Sequence, residues 1–381
     1  FFEQMHMDDA IYADESIYEY PMQQGGGNDG RPYSFGRPSS GGSKAAYPCK
    51  SYGQGRINPA YFYGVFDPND MRRDVSITMT GSNGKGVEKL IPFVPNSKAE
   101  GGGLTLNKWD ENRQANPWVA AQRKSGINGP YMRMSEVYLG YAEVCAALGD
   151  VVTGKQYLKT VRERSFPQGL ANTDAFIASF GNDLVRAIIE ERGFEYAGEG
   201  DRRWTLIRSG YLPEDIKRIK DMTKAMMDGL ATKGYYEFEN GNIISAYIWT
   251  KLVDAKTIYG HRLTAQCPTD KVNDPVLYPG WRGQKDNWEE MGLNYGSSTP
   301  ATNLAIKGLF EIVSEEEAAS LESQGYTKVN WGIDLVDNRD EYDKYLFWDY
   351  DYVSAPIYLW PFTPNVMAAG GFTNGYGFKQ E

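Results

Sequence analysis

From Tyr131 onward apolar residues recur every three or four positions: Met134, Tyr138, Ala142 with its neighbour Tyr141, Cys145 and Leu148. That spacing lays them along one face of a helix. Gly149 then stops the helix. A second helical run passes through Tyr157, Leu158 and Val161 and is closed by Pro167. The two make a hairpin of about 34 residues, the size of one tetratricopeptide unit. A chain committed to such a hairpin is committed to helix-on-helix packing. Only one copy is legible, so a long solenoid is excluded.

Around this hairpin the sequence alternates between regular and irregular stretches. Ile11 to Met22 reads as an extended segment centred on Ser16 to Tyr20, followed by a Gly-rich loop to about Tyr47. Gly81 to Asn128 is a second irregular region. A third helical block is expected from Asn182, as its cap, to Tyr196, with Val185, Ile189, Arg192 and Tyr196 on one stripe. Arg192 on an apolar stripe needs a carboxylate partner, for which Glu136, Glu143, Glu195 and Glu199 are in range. A further helix is expected over Pro213 to Met227, and another from Ser314 to Glu322, where Ser314 and Glu317 fit a capping box. Tyr235 to Asn303 is aromatic and rich in Gly and Pro. The tail from Tyr358 is expected to be extended. This divides the chain into a loop-rich segment over 1–130, a helical scaffold over 131–227 and a loop-rich carboxy-terminal segment over 228–381.

Charge and composition exclude several function classes. Forty Lys and Arg face fifty Asp and Glu, a formal net charge of -10, and no basic run could track a phosphate backbone, so nucleic acid is not an expected partner. Cys49, Cys145 and Cys267 cannot all pair and lie in no metal-binding spacing. With only His6 and His261, His-rich zinc motifs are excluded, and no metal or cofactor is expected. No run approaches the ~18 apolar residues of a membrane span. Phe1 to Met5 lack a start-like composition, and a longer natural chain is expected.

Three patterns invite a chemical reading. Gly149 to Lys155 matches seven positions of a phosphate-binding loop, but Gln156 follows where Ser or Thr is required and a helix precedes it where a strand is required, so it reads as a helix-helix turn. Glu190, Glu191, Glu195 and Glu199 could supply the acid and base of a glycosidase. Glu191 and Glu195 share a helix face, however, and Arg186, Arg192, Arg202 and Arg203 are near in sequence, which favours structural ion pairs. Asp67, Asn69, Asp70 and Asp74 lack calcium-loop spacing and read as a turn before a charged strand.

Longer motifs carry a family resemblance. Arg133, Ser135, Glu136, Val137, Tyr138, Leu139, Tyr141, Ala142 and Glu143 follow the "R-x-[AS]-E-V-Y-L-x-Y-A-E" helix of the SusD/RagB family. Glu191-Arg192, Glu195, Glu199-Gly200, Arg202, Leu206, Arg208 and Gly210 resemble that family's "E-R-x-x-E-x-x-x-E-G-x-R-x-x-D-L-x-R-x-G" block. Asp67-Pro68 and Leu359 to Pro364 resemble two further family segments. Asp201 stands where His is usual and Thr205 where Asp is usual.

The resemblance implies a mainly α fold, with tetratricopeptide-like helix pairs packed against a loop-rich irregular half. It also implies a lipid-anchored protein on the outer face of a bacterial outer membrane. Such a protein would capture oligosaccharides or polysaccharides, without cleaving them, for a SusC-like TonB-dependent transporter. The family's amino-terminal helices and lipidated Cys are not seen in this sequence. Peptide capture by the same scaffold and a surface glycosidase are the alternatives.

Ligand contacts do not transfer from family motifs, so candidate contacts come from chemistry. A sugar offers a C–H face to an aromatic ring and hydroxyls to polar groups. Two loop clusters answer that description: Trp109 and Trp118 with Asp110, Asn112 and Arg113, and Tyr278, Trp281 and Trp288 with Arg282, Gln284, Asp286 and Asn287. Replacing Trp109 or Trp281 with Ala is expected at this level to weaken binding without unfolding the protein.

Overall fold

The computed structural model describes residues 15–22, 55–82, 88–91, 93, 103–106, 108–109, 127–166, 169–254, 302–340 and 358–375. The expected extended segment is strand β1, Ser16–Tyr20. Helix α1, Pro59–Gly64, starts where the Asn58 side chain accepts from the Ala60 amide, with Pro at its first turn. Asp70 caps α2, Met71–Ser76, by accepting from the Arg72 amide, so a helix stands where the sequence suggested a charged strand. Two small antiparallel pairs follow: β2, Ile77–Thr78, with β5, Thr105–Leu106, and β3, Thr80–Ser82, with β4, Glu88–Leu90.

Strand β6, Gly129–Arg133, pairs with β1, and helix α3, Met134–Ala147, begins directly after it. Tyr131 is therefore a strand residue, and the helix starts three positions later than its spacing suggested. The Met134 amide donates to the Glu15 carbonyl at 2.8 Å, so β1 takes up the chain up to the first helical residue. The buried face of α3 is Ser135, Leu139, Ala142 and Cys145, while Met134, Tyr141 and Leu148 are exposed. Of the predicted stripe Ala142 and Cys145 are buried and Tyr138 is half-buried, and Leu139, off the stripe, completes the covered face, so periodicity placed the helix and its face only in part.

Helix α4, Val151–Glu163, completes the hairpin. Gly149 has φ +88°, and Asp150 caps α4 by accepting from the Thr153 amide at 3.1 Å. Gly154 packs against α3 so closely that a Cβ there would sit 3.0 Å from the Ala142 carbonyl oxygen. The glycines that imitate a phosphate loop are thus a turn and a helix contact.

Short α5, Thr173–Ala178, leads to α6, Leu184–Glu195, then α7, Asp201–Ser209, and the long α8, Leu212–Lys233. Asp183 caps α6 by accepting from the Arg186 amide, and Asn182, the expected cap, instead takes a left-handed conformation at φ +64°. Almost every residue of α6 is buried, because α2, α3, α4, α5 and α7 all pack on it. It is the central helix of the molecule.

The chain then turns to strands. Hairpin β7, Tyr235–Glu237, with β8, Ile243–Ser245, is followed by β9, Tyr247–Asp254, which lies between β10, Thr302–Lys307, and β11, Thr327–Asn330. Helix α9, Glu315–Ser323, starts at the expected Ser314, whose hydroxyl accepts from the Glu317 amide. Helices α10, Gly332–Asp337, and α11, Pro364–Gly370, complete the described elements, and α11 replaces the extended tail expected there.

Two cores result. One gathers Phe62, Tyr63, Met226, Leu230, Ile248, Ile306 and Trp331 between α1, α8 and the strands. The other gathers Leu139, Leu158, Val161, Ile188 and Tyr196 between α3, α4 and α6. Each fully buried apolar side chain contributes ~1.5–3 kcal/mol. The fold is mainly α, with the strands as small two- and three-stranded sheets.

Candidate functional site

Trp109 is fully buried, and its Nε1 lies 3.5 Å from the Gly198 carbonyl. It therefore has no ring face to offer a sugar, which corrects its assignment as a binding ring: the indole anchors the loop to the turn after α6. Its cluster partners Asp110, Asn112, Arg113 and Trp118 lie outside the described residues, as do Tyr278, Trp281, Arg282, Gln284, Asp286, Asn287 and Trp288. Trp249, also in an aromatic stretch, is a buried residue of β9.

The motif carboxylates are held by guanidinium groups. Glu191 accepts from Arg72 at 2.7 Å and from Arg162 at 2.9 Å. Glu195 accepts from Arg72 at 2.9 Å, Arg164 at 2.6 Å and Arg133, while its backbone carbonyl accepts from Arg133 and Lys108. Glu199 accepts from Lys108 at 2.7 Å and from both Nε and Nη2 of Arg133. Glu15, at the start of β1, closes the lattice on Arg133 and Arg164.

Burial by itself would push the Glu195 carboxyl up, but Arg133, Arg164 and Arg72 outweigh it and hold the group far below the usual carboxylate range. Glu199 is lowered in the same way, with burial opposed by Arg133 and Lys108. Lys108 is pushed down to about 8, since burial and the nearby Arg133 disfavour its charge more than Glu199 favours it.

A second lattice forms on the far side of α6. Glu190 and Asp215 both accept from Arg202 and Arg218, at 2.7–3.0 Å. The partner of Arg192 is Asp201 at 2.5 Å, with Thr205 bridging the two, and Glu136 is more distant at 3.7 Å. Glu143, Glu195 and Glu199 are taken by other cations. Asp201 and Thr205, two of the departures from the family pattern, thus meet each other at Arg192. Asp201, nine positions after Arg192, is not among the four glutamates that the sequence offers as its partner, because the turn between α6 and α7 decides that the two meet.

Asp70, one of the acidic residues weighed for calcium, binds Arg72 through both carboxylate oxygens. Among the described residues no group of His, Cys, Asp and Glu could hold a metal ion, and no helix is long and apolar enough to cross a membrane.

A cleft of about 840 Å³ opens between α5, α8 and the turn joining β7 to β8. Its wall is set by two amides of that turn. Asn240 and Asn242 each donate to the Tyr63 carbonyl, at 2.8 and 2.7 Å, and Asn240 also donates to that of Phe66, which fixes the hairpin over the end of α1. Phe176, Phe194, Met222 and Phe238 supply apolar surface, and Asn172, Ser179, Asp221 and Glu239 are its exposed polar lining. No sequence pattern announced it, since its walls come from segments far apart in the chain.

Comparison with known proteins places this arrangement. SusD-like protein P25 of Formosa agariphila is 28% identical over 160 residues, which is 42% of this chain and 26% of that protein. A SusD superfamily protein from Bacteroides vulgatus superposes with a TM-score of 0.37 at 17% identity, over 60% of this chain and 47% of the other. Surface glycan-binding protein A from Bacteroides thetaiotaomicron gives 0.41 at 18% identity, over 56% and 46%. The chain therefore matches less than half the length of each of these proteins. The model of the SusD family matches residues 10–361, nearly the whole chain, and the protein belongs to that family.

Proposed function

We propose that the protein captures oligosaccharides at the bacterial cell surface, without cleaving them, and passes them to a SusC-like TonB-dependent transporter of the outer membrane. The observation that carries this reading is the family match over residues 10–361. The geometry of the carboxylates supports capture over hydrolysis. A glycosidase needs two carboxyl groups facing one another across a cleft, whereas Glu191, Glu195 and Glu199 are buried and held by Arg and Lys. A lipid anchor, as the family resemblance implies, would hold the protein at the membrane surface.

The ring contacts belong to Trp118, with Asp110, Asn112 and Arg113, and to Tyr278, Trp281 and Trp288, with Arg282, Gln284 and Asn287. A calorimetric screen of the purified chain against polysaccharides and peptides, with an assay for new reducing ends, tests the reading. Saturable glycan binding without new reducing ends is expected, and Trp281→Ala should weaken it at least tenfold at unchanged melting temperature. Release of reducing ends, or binding of peptides alone, would overturn it.

A further inference from the structure

Helix α3 is apolar on two sides. Its inner side is covered by α4 and α6, through Leu139 and Ala142. Its outer side carries Met134, Val137, Tyr141, Val144 and Leu148, spaced three, four, three and four residues apart, the a and d spacing of a coiled-coil seam. All five are exposed, from 37% at Met134 to 82% at Leu148. A helix that is apolar all round is ordinarily buried. The outer seam of α3 therefore calls for a second helix.

Both ends of the seam run on into more apolar surface. At the amino end the β1–β6 ribbon exposes Tyr18, Tyr20, Tyr131 and Met132, and the rings of Tyr18 and Tyr131 meet edge to face at 5.7 Å. At the other end Val151 and Val152, the first residues of α4, are exposed just past Leu148. At the ~150–250 Å² of a large side chain, these residues expose roughly 1,000 Å² in all. The largest apolar patch on a typical monomer is ~300–600 Å², and a stable interface takes ~800 Å² from each partner. The face is large enough for a stable dimer.

Shape and charge fit it to a second copy of this chain. Tyr141, held edge to face by Tyr157 at 5.0 Å, stands as a knob at the middle of the seam. Beside it is a hole: a Cβ built on Gly140 meets nothing within 4 Å among the described residues. Glycine weakens a helix interior, and no described contact within the chain requires it here. A twofold axis at this point sets two α3 helices antiparallel and lays the Tyr141 ring of each copy over Gly140 of the other. It also faces Val137 with Val144 and Met134 with Leu148, and brings the ribbon of each copy against the α3–α4 turn of the other. Like charges meeting across an interface would oppose such pairing. Glu143 and Glu136, on the flank of the seam, are each matched within the chain, by Arg208 at 2.7 Å and Arg192 at 3.7 Å. We propose that the outer face of α3, with the β1–β6 ribbon, is a self-association surface through which two copies of this chain form an antiparallel, twofold dimer. It stands independently of the glycan-capture reading.

Sedimentation equilibrium of the whole chain between about 1 and 100 µM tests it, and a monomer–dimer equilibrium is expected. Val144→Lys places a charge at an exposed position. It should leave the melting temperature of the dilute protein unchanged and raise the dimer dissociation constant at least tenfold. Gly140→Leu separates dimer contact from helix stability. The monomer has room for the side chain and gains helix propensity, whereas the dimer loses the hole that Tyr141 fills. The melting temperature of the dilute protein should hold or rise while dimerisation weakens at least tenfold. A photo-crosslinking residue at Met134 should join residues 144–152 of a second copy. A chain that stays monomeric at every concentration, assembles without a dimer end point, or dimerises as tightly in either variant overturns the proposal. So does crosslinking of position 134 to its own counterpart.

Discussion

Glu195 shows how a single residue can carry a family signature for structural reasons. Its carboxylate meets three arginines from α2, β6 and the end of α4, and its carbonyl meets two further donors. A buried carboxylate would be strongly unfavourable alone, and removing one partner from such a lattice costs about 3–5 kcal/mol. Trp109 teaches the converse at the same scale. A tryptophan in a Gly-rich stretch reads as a ligand platform, yet this one is 0% exposed. Trp109→Ala is expected to destabilise the fold by about 3–5 kcal/mol, as truncation of a buried aromatic does. Urea denaturation checks this, and a variant as stable as the wild type would show that the indole is not an anchor.

At the scale of elements, caps and close contacts decide where helices begin and how near they come. Gly332 opens α10 against β8, and a Cβ there would lie 2.7 Å from the Ser245 carbonyl oxygen and 2.6 Å from a Leu230 methyl. Ala ordinarily favours a helix over Gly by roughly 1 kcal/mol. Here the sign should reverse, because the backbone oxygen cannot move aside. Gly332→Ala is expected to lose about 1–3 kcal/mol through overpacking, read as a lowered urea midpoint. The outer face of α3 makes the complementary point: Val137, Tyr141 and Val144 are exposed although they keep helical spacing. Spacing identifies a helix and leaves open which of two apolar faces is covered.

Across the whole molecule, the ion lattices tie β1, α2, β6, α4 and α6 into one unit, so acid should act on all of them together. Glu190, Glu195 and Glu199 are lowered from an ordinary value of 4.5 by their cations, against the effect of burial. A carboxylate lowered in the folded state leaves the unfolded chain binding more protons as pH falls below that value, so stability is full above it and lost below it. Each such group contributes up to ~1.4 kcal/mol per pH unit. The urea midpoint should stay nearly flat from pH 7 to about 5.5 and fall steeply below about 4.5. A flat midpoint down to pH 3 would show that these carboxylates titrate normally.

The sequence determined the parts of this protein that local chemistry controls. The α3–α4 hairpin follows from apolar spacing and Gly149, the α9 cap from Ser314 and Glu317, and the helix-helix turn from Gln156 and the helix before it. Family membership was legible too, since charged motif residues keep fixed spacings for a lattice they must complete. What only the tertiary structure decided is which distant groups meet. The pairing of Arg192 with Asp201, the burial of Trp109 against Gly198, and the cleft walled by α5, α8 and the β7–β8 turn each depend on that. A hydrogen bond or an ion pair is satisfied by any partner of the right chemistry, and the chain holds many. Only the packing of α6 among its neighbours selects one.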